Sequence, residues 1–420
     1  MRIGFFGTPG IAAFCLEKLR GRFEIAFVVT GADKPRGRNR RVQPCPVKQL
    51  ALDYDMKFFH PESLKDRAFI DALLKAGADI FVVVAYGRLI PIEVYEMPRL
   101  KTINLHPSLL PKYRGAAPVE WALIRGETGT GVTIQLINER LDAGDILLQR
   151  AFPLSGEITA GELYDILIPE GAALLIEAIE ALDAGRATPL PQDESGASYC
   201  GKINRETAHI DWTRPSREIH NLVRGLNPRP LAWSSFRSKE CKILRTAIPG
   251  DLTAPGLAPG EILAERKRLF AGTGDGPLEI VRIQPETRRD MDGLSFINGY
   301  RPARGERRRP REKEQRKERE RPLGYFVSDA SELSMERQKA RDLKNTPWWR
   351  KKTALGLCHY CGRKFGQDQL TMDHIIPLAR GGKSERNNLV PCCRECNSKK
   401  KFLLPAEWRE YIESIKKASR

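Results

Sequence analysis

Apolar residues in the first half of the chain fall in short runs, set apart by Gly-rich turns and by stretches with helical spacing. "RIGFFGTPG" predicts a strand that runs into a turn, and "AAFCLEKLRG" predicts the helix after it. "FEIAFVVT", "ADIFVVVAYG" and "LKTINLH" predict further strands, with helix-like segments between them. Strand and helix in alternation predict an α/β fold built on a parallel, doubly wound sheet. "GVTIQLI" and "GDILLQRAFPL" predict two more strands, placed as a hairpin-like pair. A helical region is expected near 159–185, with Pro169 as a candidate break and Gly185 as its stop.

The pattern changes near residue 203. "SREIHNLVRGLNPRPLAWSSF" predicts a helix and then a Pro-marked turn. "KILRTAI", "GEILAER" and "LFAGTGDGPLEIVRIQP" then alternate short strands with Gly and Pro turns, as a small β-barrel would. Residues 302–322, "PARGERRRPREKEQRKERERP", hold no large apolar side chain and cannot build a core. The expected division is a domain over 1–202, a barrel-like domain over 203–302, a basic linker over 303–322 and a third module over 323–420.

Composition adds two asymmetries. Of 420 residues, 41% are hydrophobic and 29% charged, which predicts a soluble globular class. No run approaches a membrane span, so no membrane partner is expected and a cytoplasmic location is the default. The net charge of +17 is concentrated at the end: residues 301–420 carry 31 Lys and Arg against 16 Asp and Glu. That excess predicts a polyanion, DNA or RNA, as partner for the C-terminal part. Of nine cysteines, five crowd the last 63 residues; Cys15, Cys45, Cys200 and Cys241 are scattered and read as buried thiols.

Candidate chemistry begins at "TINLHPSLLPKYRGAAP", residues 102–118. Asn104 and His106 are two apart, so a continuing strand sends both side chains to one face. Such a pair also suits a plain hydrogen-bonded strand end. Downstream, "ERLDAGDILL" places Asp142 and Asp145 in a Gly-containing turn between two apolar strands. A carboxylate held near an imidazole orients it and favours its protonated form. A cationic imidazole beside an amide N–H would stabilise a tetrahedral carbonyl adduct. This is equipment for acyl transfer to an amine without a covalent enzyme intermediate.

The stretches "GTP" at 7–9, "ADKPRGRNRRVQPCPVK" at 32–48, "VVVAYGRLIP" at 82–91, "NLHPSLLPKYRGAAP" at 104–118, "ETGTGVTIQLINERLDAGDILL" at 127–148 and "HIDW" at 209–212 are together highly specific. Over about residues 1–302 the chain resembles the methionyl-tRNA formyltransferase family. The resemblance implies a Rossmann-like formyltransferase domain followed by a small, OB-like barrel. It implies transfer of formyl from 10-formyltetrahydrofolate to the α-amino group of initiator methionyl-tRNA, by a monomer. Asn104, His106 and Asp142 match the family's catalytic trio, and Asp145 is structural or folate-adjacent. Ser108, Leu109, Leu110 and Pro111 match its folate-contact stretch. Lys34, Arg36, Arg38, Arg40, Arg41 and Lys48 match the basic loop that meets tRNA. Gly10 and Lys34 depart from common family residues but leave the trio intact. A formyltransferase acting on a small amino sugar or nucleotide is the alternative, which the basic loop disfavours.

The C-terminal cysteines form two Cys-x-x-Cys pairs, Cys358/Cys361 and Cys393/Cys396, separated by 31 residues. Four thiolates at this spacing predict a closed, structural zinc site, with Cys392 as a spare thiol. "TMDHIIPLARGG", "RNNLV" and "RECNSKK" resemble the HNH endonuclease family and its ββα-metal arrangement. The resemblance implies Asp373 and Asn397 as Mg²⁺ ligands, His374 as the general base and Asn388 as the residue that orients the imidazole. Arg350, Lys351, Lys352, Lys399, Lys400 and Lys401 are expected at phosphates, and Trp348 and Trp349 in packing. Two further readings accompany this one. The module binds nucleic acid without cleaving it, or the protein is chiefly a nuclease whose N-terminal part docks tRNA.

Overall fold

Ile80, Val82 and Val84 pack against one layer of helices while Phe81 and Val83 pack against the other, so the strand that carries them is apolar throughout. The computed structural model describes residues 1–36, 41–250, 256–303, 306–307, 330–378, 383–400 and 408. The chain divides into two compact units, Met1–Arg311 and Glu312–Arg420, each treated by itself.

In the first unit, β1 (Arg2–Gly7) pairs in parallel with β2 (Glu24–Val29). Among the described residues the short strands β3 (Lys34–Arg36) and β4 (Arg41–Gln43) pair only with each other, as a hairpin. β5 (Phe58–Phe59), β6 (Ile80–Val84) and β7 (Thr102–His106) extend the parallel sheet. After the short β8 (Arg114–Gly115), β9 (Gly129–Leu136) and β10 (Ile146–Pro153) add an antiparallel edge. The order is β10-β9-β7-β6-β1-β2-β5. The predicted parallel sheet and the pairing of its last two strands are both present.

α1 (Gly10–Arg20) and the long α2 (Ala160–Asp183) cover one face. The expected break at Pro169 does not occur: α2 runs through it. Pro169 is exposed, so the carbonyl that loses its partner one turn earlier can face water. A capping box of Thr159 and Glu162 starts this helix. The chain leaves β1 toward β2 and later returns to β1's other side as β6. In such sheets the carboxyl ends of the strands on either side of this reversal outline a crevice.

β11 (Tyr199–Cys200) pairs in parallel with β8. The second sheet follows: β12 (Ala232–Phe236), β13 (Lys239–Ala247), β14 (Glu261–Glu265), β15 (Arg268–Gly272) and β16 (Pro277–Pro285), then β17 (Met291–Asp292) and β18 (Glu306–Arg307). All its pairings are antiparallel, in the order β12-β13-β16-β15-β14-β18, with β17 on β16. Among the described residues this order is an open path. Its core gathers Ile219, Ile243, Leu278, Ile283 and Phe296. The helix Ser216–Gly225 joins this domain to the first. Its His220 Nε2 donates to the Gly156 carbonyl at 3.1 Å, and Arg224 donates to the carbonyls of Ser155, Ile158 and Leu123.

In the second unit, β19 (Leu370–His374) and β20 (Leu389–Cys393) pair antiparallel and lead into the helix Arg394–Lys400, a ββα order. Two helices, Ala330–Lys344 and Pro347–Thr353, precede them. Trp349 is buried, as expected, while Trp348 is half-buried between the cations of Lys352 and Arg386. Most of the expected linker, along with Arg38, Arg40 and Lys401, lies outside the described residues. No described helix is long and apolar enough to cross a membrane.

Candidate active site

β7 and β9 build the floor of the site. Ile103, Leu105, Val132 and Ile134 go to the core. Their neighbours therefore leave from the opposite face, where the pairing sets Asn104 beside Gln135 and His106 beside Thr133. His106 is almost fully buried and Asn104 is half-exposed.

Asp142 reaches the same place from the β9–β10 turn. Its Oδ2 lies 3.6 Å from His106 Nδ1 and accepts the Gly115 amide at 2.8 Å. Its Oδ1 accepts from Gln135 Nε2 at 3.2 Å. Asp142 holds a left-handed backbone, φ 49°, a conformation uncommon outside glycine and tolerated best by Asn and Asp. The other ring nitrogen, His106 Nε2, is 2.9 Å from the Tyr113 carbonyl; a carbonyl only accepts, so Nε2 carries the proton. Asp145 takes part through its backbone, its carbonyl accepting the Leu136 N–H at 2.9 Å.

The stretch 108–111 folds back over β9. The Ser108 hydroxyl donates to the Lys112 carbonyl at 2.7 Å, and its own carbonyl accepts from Thr133 Oγ1 at 2.6 Å. Gln149 Nε2 donates to the Leu110 carbonyl at 2.7 Å. Ser108 and Leu110 are buried, while Leu109 and Pro111 are partly exposed.

Of the basic set, Lys34, Arg36 and Arg41 lie on the β3–β4 hairpin, which the sequence presented only as a loop. Lys48 is different. Its ammonium is paired with Asp33 at 2.6 Å and is mostly buried, so its charge is committed within the fold.

In the second unit, the sulfurs of Cys358, Cys361, Cys393 and Cys396 lie within 4.8 Å of one another. That donor set fits one tetrahedral zinc ion, which would tie the Cys358 loop to β20 and the helix after it. Cys392, the spare, is buried and donates to the Cys393 carbonyl at 3.2 Å.

The expected Mg²⁺ ligands do not fit a divalent ion as arranged. Asp373 Oδ2 is 3.0 Å from the Lys400 ammonium and accepts the Tyr360 hydroxyl at 2.6 Å. Lys400 is almost wholly buried and also donates to the His374 carbonyl at 2.7 Å. The Asn397 amide donates to Thr371 Oγ1. A cation and a hydroxyl already occupy Asp373 Oδ2, where a divalent ion would have to bind. Asn388 does not orient His374. It clasps the loop after β19, accepting from the Ile376 amide and donating to the carbonyls of Ile376 and Lys383. His374 Nε2 faces Ser384 Oγ at 2.9 Å instead, and Ser384 is held by Glu336. Burial holds the His374 imidazole below its ordinary value.

The sequence profile of the Formyl transferase family matches residues 1–179, and that of Formyl transferase, C-terminal domain, matches 202–301. A methionyl-tRNA formyltransferase of Fusobacterium nucleatum is 40% identical over 301 residues, covering 71% of this chain and 97% of its own. One of Thermodesulfovibrio yellowstonii is 42% identical over 296 residues, covering 70% and 94%. The chain belongs to the methionyl-tRNA formyltransferase family.

Beyond that family's length, the HNH endonuclease profile matches residues 358–411. Among solved structures, the N-formyltransferase from Helicobacter canadensis, in complex with folinic acid and dTDP-3-aminofucose, aligns at TM-score 0.51 and 21% identity, covering 67% of this chain and 98% of that one. That likeness speaks to the fold alone. Around the formyltransferase trio the structure adds residues to which the motifs assigned no role: Gln135 and the run Tyr113–Gly115, inside the quoted stretches, and Gln192, outside them. Gln135 was within reach of the sequence, two positions beyond Thr133 on an alternating strand.

Proposed function

We propose that the protein transfers a formyl group from 10-formyltetrahydrofolate to the α-amino group of initiator methionyl-tRNA. The observation that carries this reading is the convergence of Asn104, His106 and Asp142 at the carboxyl end of β7, one strand from the sheet's reversal point. The folate lies in the crevice beside the 108–111 stretch, and the β3–β4 hairpin with its arginines meets the acceptor arm. The second domain, curled into a small barrel, supports the RNA. The boundaries of this division are 1–202, 203–302, 303–322 and 323–420.

A free α-amino group has a pKa of about 7.7–8.0, so an appreciable fraction is neutral at neutral pH. Its nitrogen attacks the formyl carbon and a C–N bond forms. Negative charge grows on the formyl oxygen. The Asn104 amide and the His106 Nε2–H, drawn away from the Tyr113 carbonyl, donate to that oxygen. Asp142 holds the imidazole and relays the proton that the amine gives up. The bond from carbon to the folate nitrogen then breaks, and that nitrogen takes the proton.

For the C-terminal module we propose a nucleic-acid ligand, supported by its HNH endonuclease match and by the charge excess of residues 301–420. One preparation tests both halves. Formyl transfer to charged initiator tRNA is compared with transfer to small amines, and plasmid nicking is measured with Mg²⁺ or Mn²⁺. Formylation of tRNA alone supports the main reading; preference for an amino sugar overturns it. Nicking that disappears in His374→Ala would assign hydrolysis to the module.

A further inference from the structure

Gln192 lies fifty residues beyond Asp142 in sequence, yet its side-chain amide joins the two halves of the site. Its Oε1 accepts from Arg114 Nε at 3.0 Å and Nη2 at 2.8 Å. Its Nε2 donates to the Gly144 carbonyl at 2.7 Å and the Asp142 carbonyl at 3.0 Å, with Gln135 Oε1 at 3.2 Å. Arg114 is fully buried and is fixed on its other side by Glu194 and the Tyr199 hydroxyl.

Three consecutive residues therefore organise His106 and Asp142. The Tyr113 carbonyl holds the His106 ring, and the Gly115 amide holds the Asp142 carboxylate. Arg114 between them reaches the Asp142 carbonyl through Gln192. The bond to Asp142's own carbonyl falls at the residue with the left-handed backbone. Without those two N–H donors, the carbonyls of Asp142 and Gly144 lose their partner in a half-buried turn. The turn is then free to relax toward an ordinary φ, and the carboxylate swings with it.

We propose that Gln192 is a positioning residue for formyl transfer: it locks the Asp142 turn so that the carboxylate faces His106, and it couples that turn to Arg114. This rests on the function proposed above. The side chain acts through Asp142.

The test compares the full-length wild type with Gln192→Glu and Gln192→Met. Glu keeps the volume and the acceptor for Arg114 but loses both donors, so it isolates the bonds to the turn. Met removes both sets. The expected result is a fall in kcat of about 10- to 100-fold in both variants, as small misplacements of reacting groups give. KM for methionyl-tRNA stays within about twofold, and the pH profile of kcat/KM moves on its acid limb. Tetrahydrofolate binding and the thermal melt report folding; if Met does not fold, the Glu variant decides. Variants with wild-type kcat, or with a loss confined to KM, overturn the proposal. A wild type that does not formylate methionyl-tRNA at all overturns the functional reading instead.

Discussion

Asp142 Oδ2 lies between His106 Nδ1, at 3.6 Å, and the Gly115 amide, at 2.8 Å, so a single carboxylate oxygen ties a turn, a loop and a strand end together. His106→Ala is expected to lower turnover by roughly 10²–10³ and to leave tRNA affinity nearly unchanged. Single-turnover formylation with a parallel filter-binding titration checks both. Asp142→Asn keeps an acceptor for Gly115 but removes the charge that faces the ring, and a turnover loss of similar order is expected.

Gly144 has no room for a side chain. A Cβ there would come within 1.8 Å of the Leu136 carbonyl oxygen, a backbone atom that cannot step aside. Gly144→Ala is expected to cost roughly 1–3 kcal/mol and to lower activity with it. Thermal melts of the two proteins in one buffer measure the shift.

His220 supplies a pH dependence. Burial holds its imidazole below the ordinary value. The neutral ring fits its partners: Nε2–H donates to the Gly156 carbonyl and Nδ1 accepts from the Thr246 hydroxyl at 3.0 Å. The unfolded chain takes up a proton near pH 6.5, while the folded chain resists doing so. This contribution to stability is thus complete above about pH 6.5 and is lost as pH falls below it. Melting temperature should drop between about pH 7 and pH 5.5, and less so in His220→Gln.

Zinc is expected at one ion per chain. Removing it by chelation, or by Cys393→Ser, should unfold the C-terminal module, since the metal supplies much of the folding energy of so small a unit. Formyl transfer should survive. Metal analysis and far-UV circular dichroism, with the transferase assay alongside, give the three readings.

Lys400→Met removes the ammonium from the Asp373 carboxylate. Binding of Mn²⁺ or Tb³⁺ at the module should tighten at least about tenfold, as expected when about 1.4 kcal/mol or more of competition is lifted. Tb³⁺ luminescence sensitised by nearby Tyr360 would follow it; unchanged affinity would show that the ammonium does not obstruct a metal.

Strand periodicity made Asn104 and His106 legible as a pair, and the Gly-containing turn made Asp142 legible as their partner. Gln192 was not legible, because its place depends on how the chain after α2 returns to the sheet. Lys48 and Lys400 look like solvated cations in sequence, but each has a partly buried carboxylate partner that only folding brings near. Asn388 matched a motif position, yet a motif records residue type and spacing, while the partner of an amide depends on the loop beside it. Pro169 signalled a break that the helix avoids by turning that residue to solvent.

Packing and chemistry alternate residue by residue along β7 and β9. Inserting one residue into β7 would trade Ile103 and Leu105 for an amide and an imidazole in the oily layer. Mutational drift in these strands is thus policed twice, once by solubility and once by turnover. New acceptor preferences would have to arise in the connecting loops, where a lengthened segment leaves the interleaving untouched.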